Sequence, residues 1–355
     1  MVIRKPAVIL INICLIVIFS SLNAASESEQ KSCGGIVWGV SARQGHRSSM
    51  EDTHAARRFV GSPDKAFFGI YDGHGGSKSA DIIAGKTALK PLHTLFAEST
   101  EPSAQQKLRD AYSKMEDTLL NHSDTSGSTA VTVYVDKTTK KLFIAWAGDS
   151  RALIVKGDTI YCTTDHKPTD TKEKARIDRA YGLIKNKCLF DGFGYYLAVS
   201  RALGDKALKT GHFPMKGLSA VPEVAELDFK EEENILLILA CDGIWDVISN
   251  EDAARFVVNN LNSSISKINP DTVRERSHEG GNHYNAISAA RTLRDIAFAK
   301  GSKDNISVLV AVINKTCESF TTTFSAINQL EPITFIEDDL PATQEVSTEE
   351  DCSDL

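Results

Sequence analysis

From Val37 onward the chain is built of short apolar runs separated by polar punctuation. The runs at 66–71, 129–135, 142–147, 151–156, 195–199, 223–229, 234–240 and 306–313 are mostly rich in Val, Ile and Phe and bounded by Gly, Asp or Lys. That composition predicts strands. Helical spacing lies between them. Ile82, Leu89, Leu92 and Phe96 share one face of a helix over about 79–96, and Leu108, Ala111, Met115 and Leu119 mark another over about 103–121. Ser249, with Asp252 three residues on, reads as a capping box for a helix through Leu261. A last helix over about 285–299 carries Ala286, Ala289, Leu293 and Ile296 and stops at Lys300-Gly301. Helices come in pairs between groups of strands, without regular strand–helix alternation. The pattern predicts an α+β fold of antiparallel sheets covered by helices.

Several strands end or begin on carboxylates. Phe67 to Tyr71 runs into Asp72-Gly73-His74-Gly75-Gly76, where the glycines permit a sharp turn. The run from Asn234 to Cys241 stops on Asp242-Gly243. Asp304-Asn305 precedes the run from Ile306, Asp149 sits between two strands, and Arg47 lies upstream with Glu51-Asp52. Any one of these aspartates is explained by strand termination alone. Brought together at one sheet edge, they would repel each other and resist ionisation without a cation. Oxygen-only sites of this kind suit Mg²⁺ or Mn²⁺.

Charge and composition narrow the picture. The apolar and charged fractions, 42% and 25%, are those of an ordinary globular protein. The net charge of −7 is unevenly spread: no Lys or Arg follows Lys315, and ten acidic residues do, so the remainder carries +3. No basic block or basic–aromatic interleaving is present, which argues against a nucleic-acid partner. Residues 317–355 are expected to be an acidic, disordered tail. At the other end, Arg4 and Lys5 precede an apolar run from Ala7 to Phe19 and small residues through Ala25. This reads as a secretory signal over residues 1–25, and so as export, followed by a linker over 26–34. A membrane tether follows only if that segment is not cleaved. The cysteines show no CxxC spacing, so neither a disulfide scaffold nor a zinc site is expected, and Cys241 reads as a packed free thiol.

Beyond spacing, the ordered blocks of residues 35–316 strongly resemble the metal-dependent serine/threonine protein phosphatases (PPM, or type 2C). The blocks are Arg47-x-x-Met50-Glu51-Asp52, Asp72-Gly73-His74-Gly75-Gly76, Gly127-Ser128-Thr129-Ala130, Gly148-Asp149-Ser150-Arg151 and Asp165-His166-Lys167-Pro168. Further on come Glu173-x-x-Arg176-Ile177, Leu197 to Asp205, Pro222-Glu223-Val224, Cys241 to Asp246 and Ser302 to Ser307. The resemblance implies a four-layer α-β-β-α sandwich of two mainly antiparallel sheets. It also implies two Mg²⁺ or Mn²⁺ ions at one sheet edge, with a weaker third ion as an option. Asp72 would bridge the two ions, with Asp242 and Asp304 on the first. The Gly73 carbonyl would bind the second, and Glu51 would reach it through water. Asp149 is assigned either to the surround of the ions or to the third one. Arg47 matches the phosphate-binding arginine and His74 the general acid, with Asp52 and Asn305 in the same blocks.

The implied reaction is hydrolysis of phosphoserine and phosphothreonine on a protein substrate, by a monomer, through water activated between two ions. A catalytically silent binding module of the same fold is the alternative from another class, and a hydrolase of other phosphoesters is a second. The chain departs from the family at Ala180-Tyr181-Gly182 and at Asp191 to Tyr196, in a segment over about 178–220 that flanks the site. Substrate preference is therefore not carried over. Glycosylation patterns occur at Asn121, Asn262, Asn305 and Asn314. Asn305 is expected to be skipped, because it begins a buried strand beside a metal ligand.

Overall fold

Period-two alternation divides the central strands between two cores, and that division builds the layers. In Ile235–Ala240, Leu236, Ile238 and Ala240 face one core and Ile235, Leu237 and Leu239 the other. Ile306–Ile313 repeats the division, with Val308, Val310 and Val312 opposed to Leu309, Ala311 and Ile313. The structure, a computed structural model, describes residues 30–33, 35–266, 286–313 and 329–332.

The first sheet has seven strands, in the order Gln30–Cys33, Ile36–Arg43, Ile306–Ile313, Ile235–Ala240, Arg151–Lys156, Thr159–Cys162 and Gln329–Pro332. Only the last pair is parallel. The second has five, in the order Glu223–Asp228, Lys141–Ala147, Ala130–Asp136, Ser62–Tyr71 and Thr53–Phe59, antiparallel throughout. Trp38, Phe68, Ile144 and Trp146 lie in the core between the sheets. The helices Asn250–Ser266 and Ala286–Ala299 cover the first sheet through Val257, Leu261, Ala290 and Leu293. A Cβ on Gly39 would stand 2.2 Å from the Ile287 nitrogen, so this helix lies directly on the strand. Lys78–Ala84, Leu92–Glu98 and Ala104–Asn121 cover the second sheet through Ile82, Phe96, Leu108, Tyr112 and Met115. The result is the α-β-β-α sandwich that the resemblance implied.

Some local expectations change. The helix expected over about 79–96 is two helices. Gly85 ends the first at φ 88°, and Pro91, with extended backbone, precedes the second. Proline lacks an N–H and pushes the residue before it out of helical space. Leu89, expected on the buried face, lies in the connection and is exposed. The run at 195–199 contributes only Tyr196–Leu197. The strand Thr53–Phe59 and the helix Thr171–Arg179, which apolar runs did not mark, carry few apolar residues. Ser249 caps as expected, its Oγ accepting from the Asp252 N–H at 3.1 Å.

Short strands also fall in the stretches read as linker and tail. Gln30–Cys33 and Gln329–Pro332 pair with the two edges of the first sheet, which offer unpaired backbone groups. The signal expected over residues 1–25, Asn314 and most of the tail lie outside the described residues. Among the described residues no helix is long and apolar enough to cross a membrane.

Candidate metal centre

The ends of strands from both sheets converge on one edge of the sandwich. Asp72 follows Ser62–Tyr71, Asp242 follows Ile235–Ala240, and Asp149 lies between Lys141–Ala147 and Arg151–Lys156. Carboxylate oxygens of Asp72, Asp149 and Asp242 lie within 4.8 Å of one another. Asp52, Asp72 and Cys241 form a second group within the same distance. Residues 52, 72, 149 and 242 are far apart in sequence, and the two sheets bring them together.

The electrostatics favour a bound cation. Burial, then the charges of Asp52, Asp242, Asp149 and Asp304, push the Asp72 carboxyl far above its ordinary value. Asp242 is pushed up to about 8 by burial and by Asp149, Asp304 and Asp246, against a lowering pull from Lys167. Burial raises Asp52 to about 6. Both Asp52 oxygens and Asp242 Oδ1 are buried without a hydrogen-bond partner. Oxygens so crowded and unpartnered match the donor set of a hard divalent ion. Cys241 does not change that chemistry. Its thiol is buried, donates to the Asn305 carbonyl at 3.4 Å and accepts from the Ser307 N–H at 3.2 Å. Burial and the charges of Asp52, Asp72 and Asp242 push it well above the usual thiol range, so it stays a protonated, packed thiol.

Other expected residues surround this group without joining either trio. Asp304 Oδ2 pairs with Arg47 Nη2 at 2.6 Å. Glu51 is held at the glycine turn, its Oε2 accepting from the Gly76 N–H at 3.1 Å and its Oε1 from Ser49 Oγ at 2.8 Å. Gly73 packs on the same residue: a Cβ there would meet the Glu51 carbonyl oxygen at 2.5 Å. Asn305, 5% exposed, organises the segment that carries Arg47. Its Oδ1 accepts from the Glu51 N–H at 2.7 Å, and its Nδ2 donates to the Gln44 and Ser49 carbonyls at 2.8 and 2.9 Å.

His74 Nε2 lies 2.8 Å from Asp205 Oδ1. Burial disfavours its imidazolium, but the charge and hydrogen bond of Asp205 outweigh that, and the His74 pKa is raised. The Asp205 role was not assigned from the sequence, nor was that of Lys167, whose Nζ contacts Asp149 Oδ2. Both belong to the sequence blocks quoted above, yet only the folded chain shows which side chain each one meets.

The model of the protein phosphatase 2C family matches residues 36–306, and the chain belongs to that family. The family uses divalent metal ions, in keeping with the acidic clusters here. The chain is similar to protein phosphatase 1B of Bos taurus, 35% identical over 300 residues, covering 78% of this chain and 56% of that protein. It is also similar to probable protein phosphatase 1N of Mus musculus, 36% identical over 286 residues, covering 78% of this chain and 64% of that one. The match thus spans less than two thirds of each relative's length. The crystal structure of serine-threonine phosphatase 2C from Toxoplasma gondii shares the fold. Its TM-score is 0.60 at 23% identity, covering 81% of this chain and 99% of that one.

Proposed function

We propose that the chain hydrolyses phosphoserine and phosphothreonine on proteins, with two Mg²⁺ or Mn²⁺ ions held at the sheet edge. The observation that carries this reading is the convergence of Asp72, Asp149 and Asp242 within 4.8 Å, with Asp72 and Asp242 raised by the crowding. Asp72 and Asp242 would hold the ions together with Asp304 and the Gly73 carbonyl, while Glu51 would act through water and Asp149 beside them or on a third ion. Bound ions of this kind lower the pKa of water and offset charge on phosphoryl oxygens.

The chain's own residues do the rest. Arg47, 60% exposed at its side chain, presents a planar fork suited to two phosphate oxygens. Asp304 steers that fork in the free protein, and Asn305 holds the loop behind it. Asp205 keeps a proton on His74 Nε2 and favours the charged ring. The ring can then protonate the departing serine or threonine oxygen. Neither a cysteine nor a serine nucleophile is required.

The test is phosphate release from a phosphopeptide, p-nitrophenyl phosphate, nucleotides and sugar phosphates, with Mg²⁺ or Mn²⁺ titrated in after chelation. Metal-dependent turnover that favours the phosphopeptide is expected. No turnover from folded, metal-loaded protein would identify the silent binding module, and preference for a nucleotide or sugar phosphate would identify another phosphoesterase.

A further inference from the structure

The three-stranded sheet Leu183–Lys185, Cys188–Phe190 and Tyr196–Leu197 turns aromatic side chains to solvent. The loop that does so is tightly built. Asp191 Oδ1 accepts from the N–H groups of Phe193, Gly194 and Tyr195 at 2.8, 3.0 and 3.0 Å. Phe193 and Tyr195 are nevertheless 67% and 68% exposed. Phe193 lies against the equally outward Phe213, ring centroids 4.3 Å apart. Lys216 lies over the Tyr181 ring and Lys185 over Phe190, 5.9 and 5.1 Å from the centroids. Lys185, Lys187 and Lys216 of this segment are exposed. Exposed aromatic rings, two of them with a lysine beside them, fit an acidic segment that carries apolar residues of its own.

The chain contains such a segment, and the sheet delivers it to the right edge. Gln329–Pro332 runs parallel to Thr159–Cys162, with Pro332 opposite Cys162, so both strands leave the sheet at the same end. Beyond Cys162 the chain reaches Lys167, which touches Asp149 of the metal centre, and then the helix Thr171–Arg179, which leads into the aromatic sheet. The 23 residues 333–355 therefore start at the catalytic edge. They hold eight acidic residues and no Lys or Arg, with Phe335, Ile336 and Leu340 around Glu337-Asp338-Asp339. The path from Cys162 to Tyr181 cannot exceed about 50 Å, whereas 23 extended residues span about 75 Å.

We propose that residues 333–355 occupy this aromatic, basic face in their own molecule. Phe335, Ile336 and Leu340 cover the rings, and the acidic groups meet Lys185, Lys187 and Lys216. The tail then competes with acidic phosphoproteins for the ground beside the centre, a consequence that rests on the proposed phosphatase function.

Carbodiimide coupling of the 355-residue chain, which joins touching Lys and carboxylate side chains without a spacer, tests the contact directly. Peptide mapping of the monomer is expected to join residues after Pro332 to Lys185, Lys187 or Lys216. The links should disappear in a Phe193→Ser, Phe213→Ser double variant. Both rings are solvent-exposed, and the melting midpoint reports whether the variant folds. An absence of such links, or links found only in a covalent dimer, would overturn the proposal, the second case assigning the face to another copy. Links that persist in the double variant would overturn it as well.

In the kinetic arm, a tethered segment acts at an effective concentration of about millimolar. Neutralising Glu337, Asp338 and Asp339 to Gln, Asn and Asn is thus expected to raise kcat/KM on an acidic phosphopeptide by roughly threefold to tenfold. The gain should shrink at high salt. An unchanged kcat/KM overturns the competition. A protein without turnover still yields the cross-link result, so failure of the phosphatase reading and failure of this inference are distinguishable.

Discussion

Glu173 is the residue whose loss should be felt most widely. It is 2% exposed, and both carboxylate oxygens are engaged. Oε1 accepts from Arg201 Nη2 and Nε at 2.6 and 3.1 Å, and Oε2 accepts from Arg176 Nη2 at 2.7 Å and from Ser200 Oγ. Burial alone would push the carboxyl up. Arg201, then Arg176, reverse this and hold it well below the usual carboxylate range. The network ties the helix Thr171–Arg179 to the segment that runs on to Asp205, the partner of His74.

Glu173→Gln keeps the shape and removes the charge. Arg176 is partly exposed, so its share is small, about 1 kcal/mol or less. Arg201 is 8% exposed and, among the described residues, would keep only Glu223, at 3.3 Å, as an ionic partner. Breaking one side of such a buried pair costs about 3–5 kcal/mol. At about 2–4 °C per kcal/mol for a domain of this size, the melting midpoint should fall by roughly 6–20 °C. Adding Arg201→Met should recover part of the loss, because it removes the most deeply buried charge that Glu173 had balanced.

The pH dependence gives a second readout with a fixed sign. The native carboxyl titrates below the unfolded one, so its contribution is full above the unfolded glutamate pKa of about 4.3 and fades as pH falls below it. Denaturant melts of the two proteins from about pH 7 to pH 3 should therefore show a gap that narrows with acid. A gap under about 1 kcal/mol at neutral pH would refute the reasoning. So would a gap that stayed constant with acid.

Four further outcomes are expected. A Cβ on Gly127 would stand 2.3 Å from both Asp205 oxygens and from His74 Nε2, so Gly127→Ala must part that pair. Phosphopeptide turnover should drop by about 100-fold or more. Turnover of p-nitrophenyl phosphate, whose leaving group needs no proton, should drop far less, and calorimetric metal affinity should hold. Asp242→Asn removes a carboxylate from the close trio, so Mn²⁺ affinity by calorimetry should fall while the melting midpoint in chelator rises from the relieved repulsion. Asn305 has its amide in two hydrogen bonds and is 5% exposed, so protein made in a glycosylating host should carry no glycan there by mass spectrometry. Asn305→Ala should raise KM for phosphopeptides as the Arg47 segment loosens.

The apolar runs by themselves pointed to antiparallel sheets covered by helices, because the short, continuous apolar stretches at 234–240 and 306–313 suit strands buried on both faces; the pairing of two sheets into four layers came from the resemblance. The ordered blocks likewise marked Asp72, Asp149 and Asp242 before any geometry was known. What escaped the sequence is what no local period encodes. Pro91 overrode a helical stripe that looked continuous from Ile82 to Phe96, and Thr53–Phe59 became a strand through its pairing with Ser62–Tyr71. Which charges meet was decided by packing: Asp304 on Arg47, Asp205 on His74, Glu173 between Arg176 and Arg201. A side chain's chemistry is written in its residue type, but its partner is set by where two distant segments come to lie, and only the layered packing of the sheets settles that.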